Sequence, residues 1–151
     1  MIKIVCIGKV KESYLRDAIE EYKKRISKYT QLEIIELEDY SFQDNNVTLK
    51  KEKEKILKVL NNKDYIITLE IDGNQITSEE FANKIDKTFI ENSNITFIIG
   101  GSYGLDEEIK KLSNFKLSFS KMTFPHQLFR LILLEQIYRA FKINNHEEYH
   151  K

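Results

Sequence analysis

Proline occurs once in this chain of 151 residues, cysteine once, glycine five times and tryptophan never. A single cysteine cannot close an internal disulfide or supply a metal cluster, and Cys6, alternating with Ile4 inside an apolar run, is expected to serve packing. The formal net charge is zero, which argues against the broadly basic surface of a nonspecific polyanion binder. No apolar run approaches the roughly 20 residues that span a bilayer. MIKIVCIGKVKE has too short an apolar core, and no small-residue cleavage site, to be a signal peptide. A soluble, cytoplasmic protein without membrane contact is expected. No linker, repeat or low-complexity segment divides the chain, so residues 1–151 are expected to form one domain, of a size that buries about two thirds of its unfolded surface.

What is present is unevenly placed. Residues 110–151 hold 8 Lys and Arg against 3 Asp and Glu, so the C-terminal part is basic and the remainder acidic, which suggests a docking patch. Strand patterns at 2–8, 32–38, 64–71, 94–100 and 115–120 alternate with amphipathic helix patterns. Asp72-Gly73-Asn74 is expected to close the third strand, DYSFQDNN to be a loop before the helix TLKKEKEKILKVL, and Thr77 or Ser78 to cap SEEFANKIDKTFI. This alternation predicts an α/β fold with a mainly parallel sheet and helices on both faces. In such sheets ligands bind beyond the carboxyl ends of the strands.

Two stretches carry chemistry. IIGGSYGLDEE is a strand, a glycine turn and a helix start, yet it lacks the spacing of a dinucleotide or phosphate loop. Asp106, Glu107 and Glu108 fill the first helical turn that a phosphate would approach, so a neutral or cationic ligand is favoured. LSFSKMTFPHQLFRLILLEQIYRAFK, Leu117 to Lys142, holds the lone proline, whose fixed φ turns the chain before a helix starting at His126. Apolar residues cover most of that helix's circumference, so it needs cover on two sides, either at the centre of the monomer or, as preferred here, at a subunit interface. Glu135 and Arg139 stand i, i+4 apart and are expected to form an ion pair.

IGGSYGL, LSFSKMTFPHQLFRLILLEQIYRAFKI and the terminal YHK together resemble the SPOUT-superfamily methyltransferases that modify N3 of pseudouridine 1915 in helix 69 of 23S rRNA. The resemblance covers the whole chain. It implies a C-terminal trefoil knot, S-adenosylmethionine as methyl donor, no metal, and a homodimer acting on the assembled ribosome. It implies that the donor contacts Leu69, Gly100, Phe119, Ser120, Lys121, Met122, Thr123 and Phe124. It also implies that Tyr149, His150 and Arg139 serve catalysis and that His126 and Arg130 contact RNA; because the tail lies far along the chain from the donor loop, each site is expected to borrow Tyr149 and His150 from the other subunit. The family often has Gly or Asn where this chain has His146, a strained choice if the backbone there needs a positive φ.

Other readings share these residues. A SPOUT-type enzyme acting on tRNA or a small molecule, or a protein that keeps the donor pocket without catalysis, would look alike in the donor loop. A non-catalytic flavodoxin-like or receiver module is disfavoured, because IGKVKE lacks the acidic cluster a metal-dependent receiver uses.

Overall fold

The computed structural model describes residues 1–40 and 44–151. Five strands, β1 (Ile2–Ile7), β2 (Leu32–Leu37), β3 (Tyr65–Asn74), β4 (Ile95–Ile99) and β5 (Phe115–Leu117), form one sheet in the order β2-β1-β4-β3-β5. Every pairing is parallel. The helices between them are α1 (Ser13–Ile26), α2 (Asn45–Val59), α3 (Ser78–Glu91), α4 (Glu107–Leu112) and α5 (His126–Asn144). Near-continuous apolar runs make β1 and β4 central, since a strand covered on both faces gains from burying every side chain.

Alternation along β1 divides the core. Ile2, Ile4 and Cys6 join Phe97, Ile67 and the apolar faces of α1, α3 and α5, while Val5 and Ile7 join Ile98, Ile56 of α2 and Ile109 of α4. Helices on both faces agree with the expectation. Cys6 is fully buried, and burial pushes its thiol up to about 12, so it packs and does not react.

α5 lies between α1 and α3, which bury Leu133, Leu134, Ile137 and Ala140 on its two sides. The monomer thus supplies the cover that was expected of a subunit interface. Near its start Leu128, 37% exposed, and the half-buried Phe129, Leu131 and Ile132 leave apolar surface.

Two boundaries differ from the sequence expectation, and a third settles between its two alternatives. α2 begins at Asn45 because the Asp44 carboxylate accepts the Asn46 N–H at 2.8 Å; part of the loop expected before it, 41–43, lies outside the described residues. Thr77, not Ser78, caps α3, its hydroxyl accepting the Glu80 N–H at 3.1 Å. β3 does not stop before Asp72-Gly73-Asn74 but shifts register and returns to β5, pairing Asn74 with Leu117. Asn74 Nδ2 donates to Lys116 O at 3.0 Å, the Ser118 N–H to Asn74 O at 2.9 Å, and Ser118 Oγ to Ile71 O at 2.9 Å. The backbones approach so closely that a Cβ on Gly73 would sit 2.9 Å from the Lys116 carbonyl.

α5 ends on Asn145, after which His146 takes φ 55°. The His146 N–H reaches Ile143 O at 3.1 Å and the Glu147 N–H reaches Lys142 O at 3.0 Å, the paired closure that demands a left-handed residue. His146 is the one non-glycine residue with positive φ among those described. Replacing it with Gly removes the Cβ penalty, partly offset by a more flexible unfolded chain. His146→Gly is therefore expected to raise stability by about 0.5–1 kcal/mol and Tm by about 1–4 °C in calorimetry; a lower Tm would contradict the assignment.

Candidate active site at the strand ends

Beyond the carboxyl ends of β3, β4 and β5 lies an open cavity of about 170 Å³. Leu69 and Glu70 from β3, Gly100 after β4, and Phe119, Ser120, Met122, Thr123 and Phe124 from the chain after β5 line it. Of the eight positions expected to hold a donor, all but Lys121 are therefore brought together. Lys121 is exposed and is not among the lining residues. His126, expected to meet RNA, also lines the cavity.

Local chemistry shapes the walls. The Met122 N–H donates to Ser120 Oγ at 3.0 Å, while Ser118 anchors the loop to Ile71 as described. Phe119 meets Phe129 edge to face at 4.9 Å between ring centroids, and Phe124 packs on the same ring at 6.0 Å. On the opposite side, Gly104 N–H donates to Gly101 O at 3.1 Å, closing the glycine turn. A Cβ on Gly100 would overlap the Gly104 carbonyl, so only glycine allows this turn to fold against the cavity. Sequence reasoning did not pick out Glu70, Ile71, Ile99, Gly101, Leu117, Ser118 or Phe129, which also line it. The strand-end rule alone could have indicated Ile71 and Ile99.

Behind the turn, Glu52 of α2 is 3% exposed, and its oxygens would lie 3.1 and 3.2 Å from a Cβ at Gly101. Burial, with Asp39 adding to it, pushes this carboxyl up to about 7.

The expected catalytic residues gather elsewhere, on the side of α5. Arg139 NH2 pairs with Glu135 Oε1 at 2.8 Å, which holds the guanidinium charged, and the Tyr149 hydroxyl donates to the same oxygen at 3.1 Å. Burial and Glu135 raise the Tyr149 phenol to about 12, so it stays a donor at neutral pH. His150 Nδ1 lies 3.0 Å from Arg139 NH1 and Nε2 lies 2.8 Å from Glu79 Oε1. Arginine only donates, so Nδ1 accepts and Nε2–H points at Glu79. None of Arg139, Tyr149 and His150 lines the cavity. Glu79 gave no sequence signal beyond its place in the first turn of α3.

Arg130 is a correction. It is 1% exposed, its NH1 pairs with Glu36 Oε2 at 2.7 Å, and its NH2 donates to Gly8 O at 3.1 Å. The Nε has no partner. The guanidinium is a buried strut tying α5 to the end of β1 and faces no phosphate. Arg139, Lys142 and Lys110 are likewise paired with carboxylates. Of the basic excess, Lys111, Lys116, Lys121 and Lys151 are exposed and carry no ion pair among the described residues. No group of three His, Cys, Asp or Glu converges as a metal site among those residues, and no described helix is long and apolar enough to cross a membrane.

A family described as "Predicted SPOUT methyltransferase" matches residues 1–150. The ribosomal RNA large subunit methyltransferase H of Bifidobacterium animalis subsp. lactis is 52% identical over 157 residues, covering 99% of each chain. The protein of the same name from Clostridium botulinum is also 52% identical with 99% coverage of each. Among solved structures, a probable methylase family protein from Haemophilus influenzae aligns with TM-score 0.60 at 16% identity, over 99% of this chain and 70% of that one; this likeness concerns the fold.

Glu52 makes stability pH-dependent. Its folded pKa of about 7 stands above the ordinary 4.5, so the folded state holds the proton more tightly and loses stability as pH rises between those values. The loss amounts to at most about 3 kcal/mol. Glu52→Gln should therefore melt progressively higher than the parent as pH goes from 5 to 8; a Tm difference that stays constant with pH would show that Glu52 ionises normally.

Proposed function

The chain belongs to the SPOUT methyltransferase family, and from that premise we propose that it methylates N3 of a pseudouridine in helix 69 of 23S rRNA, using S-adenosylmethionine, as a homodimer on the assembled ribosome. The observation that carries the donor is the cavity itself. Seven loop and strand positions that the family resemblance associates with S-adenosylmethionine converge on it, and its apolar, aromatic walls suit an adenosyl group without a phosphate anchor. The acceptor rests on relatives named ribosomal RNA large subunit methyltransferase H over nearly their whole length. The trefoil knot belongs to the same proposal: the chain from Ser118 to Pro125 is the threaded segment, held where β3 returns to β5.

When bound, the donor supplies an electrophilic methyl group to an in-line displacement. The protein's part is placement, which can contribute roughly 7–11 kcal/mol, and help in removing the imide proton, which costs about 3 kcal/mol for a pKa two units above neutral. Tyr149 and His150 are suited to hold the base, Arg139 to stabilise the developing imide charge, and His126 and exposed Lys121 to meet RNA at the cavity mouth.

Distance explains why two subunits are needed. The α5 residues that reach the cavity stop at Phe129, and Arg139 lies ten residues on, about 15 Å along a rigid helix. We assign the donor cavity of one subunit to the tail cluster of the other, joined through the apolar surface at Met122 and Leu128.

Three measurements test this reading. Deleting the gene should remove the N3-methyl mark from pseudouridine in 23S rRNA by nucleoside mass spectrometry; an unchanged digest would refute the acceptor. Gly100→Ala should weaken S-adenosylmethionine binding at least about tenfold in calorimetry, because the turn must move into the cavity. Mixing a Gly100→Ala subunit with one truncated before Tyr149 should restore methylation through one intact hybrid site, and a fully inactive mixture would count against shared sites.

A further inference from the structure

The cavity's charge is carried by very few groups. Among the residues that line it, Glu70 is the one carboxylate and His126 the one other titratable side chain. Other acidic groups stand near the cavity without lining it, Asp72 beside Ile71 among them. Asp106 accepts the Glu108 N–H at 2.9 Å, Glu107 pairs with Lys110 at 3.4 Å and Glu108 with Lys53 at 3.4 Å, while Glu52 stands behind Gly101.

Glu70 has no cation partner among the described residues, yet it is held in place. The Thr68 hydroxyl, fully buried, donates to Glu70 Oε2 at 2.6 Å and lies 2.7 Å from Ser113 Oγ at the end of α4. A carboxylate fixed in the wall is a preorganised counter-charge, since it need not reorient when a cation arrives.

We propose that Glu70 is the specificity-determining residue that distinguishes the cationic methyl donor from its neutral-centred product, its carboxylate facing the sulfonium. The proposal rests on the S-adenosylmethionine reading above. Donor and product share the adenosine and the amino-acid tail; they differ in one methyl group and one positive charge on sulfur. Only a charged wall group can separate them strongly, because a lone methyl contributes little in an apolar pocket. Stabilising the sulfonium in the ground state does not by itself speed transfer. Its benefit is exchange: when the methyl leaves, the charge leaves with it, the attraction lapses, and S-adenosylhomocysteine departs while the next donor binds.

The test is titration calorimetry of the wild type, Glu70→Gln and Glu70→Asp with S-adenosylmethionine, S-adenosylhomocysteine and sinefungin, in which a protonated amine stands near the place of the sulfonium. Glutamine keeps the shape and can still accept from Thr68, so the fold is not at stake. Glu70→Gln should weaken S-adenosylmethionine and sinefungin about fivefold or more and leave S-adenosylhomocysteine within about twofold. Glu70→Asp should recover part of the preference. An equal loss for all three ligands would place Glu70 on the shared amino group and overturn the proposal, as would no change in any. A wild type that binds none of the three would instead sink the donor reading beneath it.

Discussion

The site depends on one backbone contact: the return of β3 onto the chain leaving β5. Ile71 and Asn74 accept from Ser118, Asn74 donates to Lys116, and the pairing resumes at Leu117 after a register shift. Without that clasp the segment from Ser118 to Phe124 would be a surface loop with its backbone groups turned to water. With it, the loop is pinned at its root, Phe119 and Phe124 reach Phe129, and a wall forms opposite the glycine turn. The contact requires an absence as much as a bond, since Gly73 is the one residue type that lets the two backbones pass at this distance.

Much of this was legible beforehand. Continuous apolar strands announced a parallel sheet, and the lone proline announced a fixed turn at the head of α5. The tail announced its own strain at His146. Seven of the eight positions that a motif singled out line one cavity, because strand ends in a parallel sheet gather loops by geometry and not by detailed packing. The course of β3 past Asp72 was not legible, since Asp-Gly-Asn is an ordinary turn signal and its strand partner, Lys116 and Leu117, lies far along the chain. Arg130 misled for a related reason. An arginine among apolar helix positions reads as exposed until its partners are known, and Glu36 and the carbonyls at the end of β1 are more than ninety positions away.

The burial of Arg130 also changes how the basic C-terminal part should be understood. Half of those eight charges are fastened within the molecule: Arg130 ties α5 to β1 and β2, Arg139 organises the tail through Glu135, Lys142 holds Glu147 and Lys110 pairs with Glu107. Ion pairs at the surface contribute little each, but Arg130 is desolvated, and removing Glu36 would leave a buried charge without its counter-ion. Lys111, Lys116, Lys121 and Lys151 remain exposed.

α5 then links the two halves of the chemistry by keeping them apart. Its first turn lines the cavity through His126 and Phe129, and its middle carries Glu135 and Arg139, which gather Tyr149 and His150. A helix locked between α1 and α3 cannot bend to bring one set to the other, because its buried face is continuous from Leu133 to Phe141. In the dimer proposed above, a two-fold axis would solve the problem without distortion. Two copies of α5 crossing near Leu128 and Leu131 would set the start of each against the middle of the other, completing two equal sites with the same contact. The apolar residues left uncovered at the head of α5, too few for a core and placed beside the cavity, are where such a crossing would have to be.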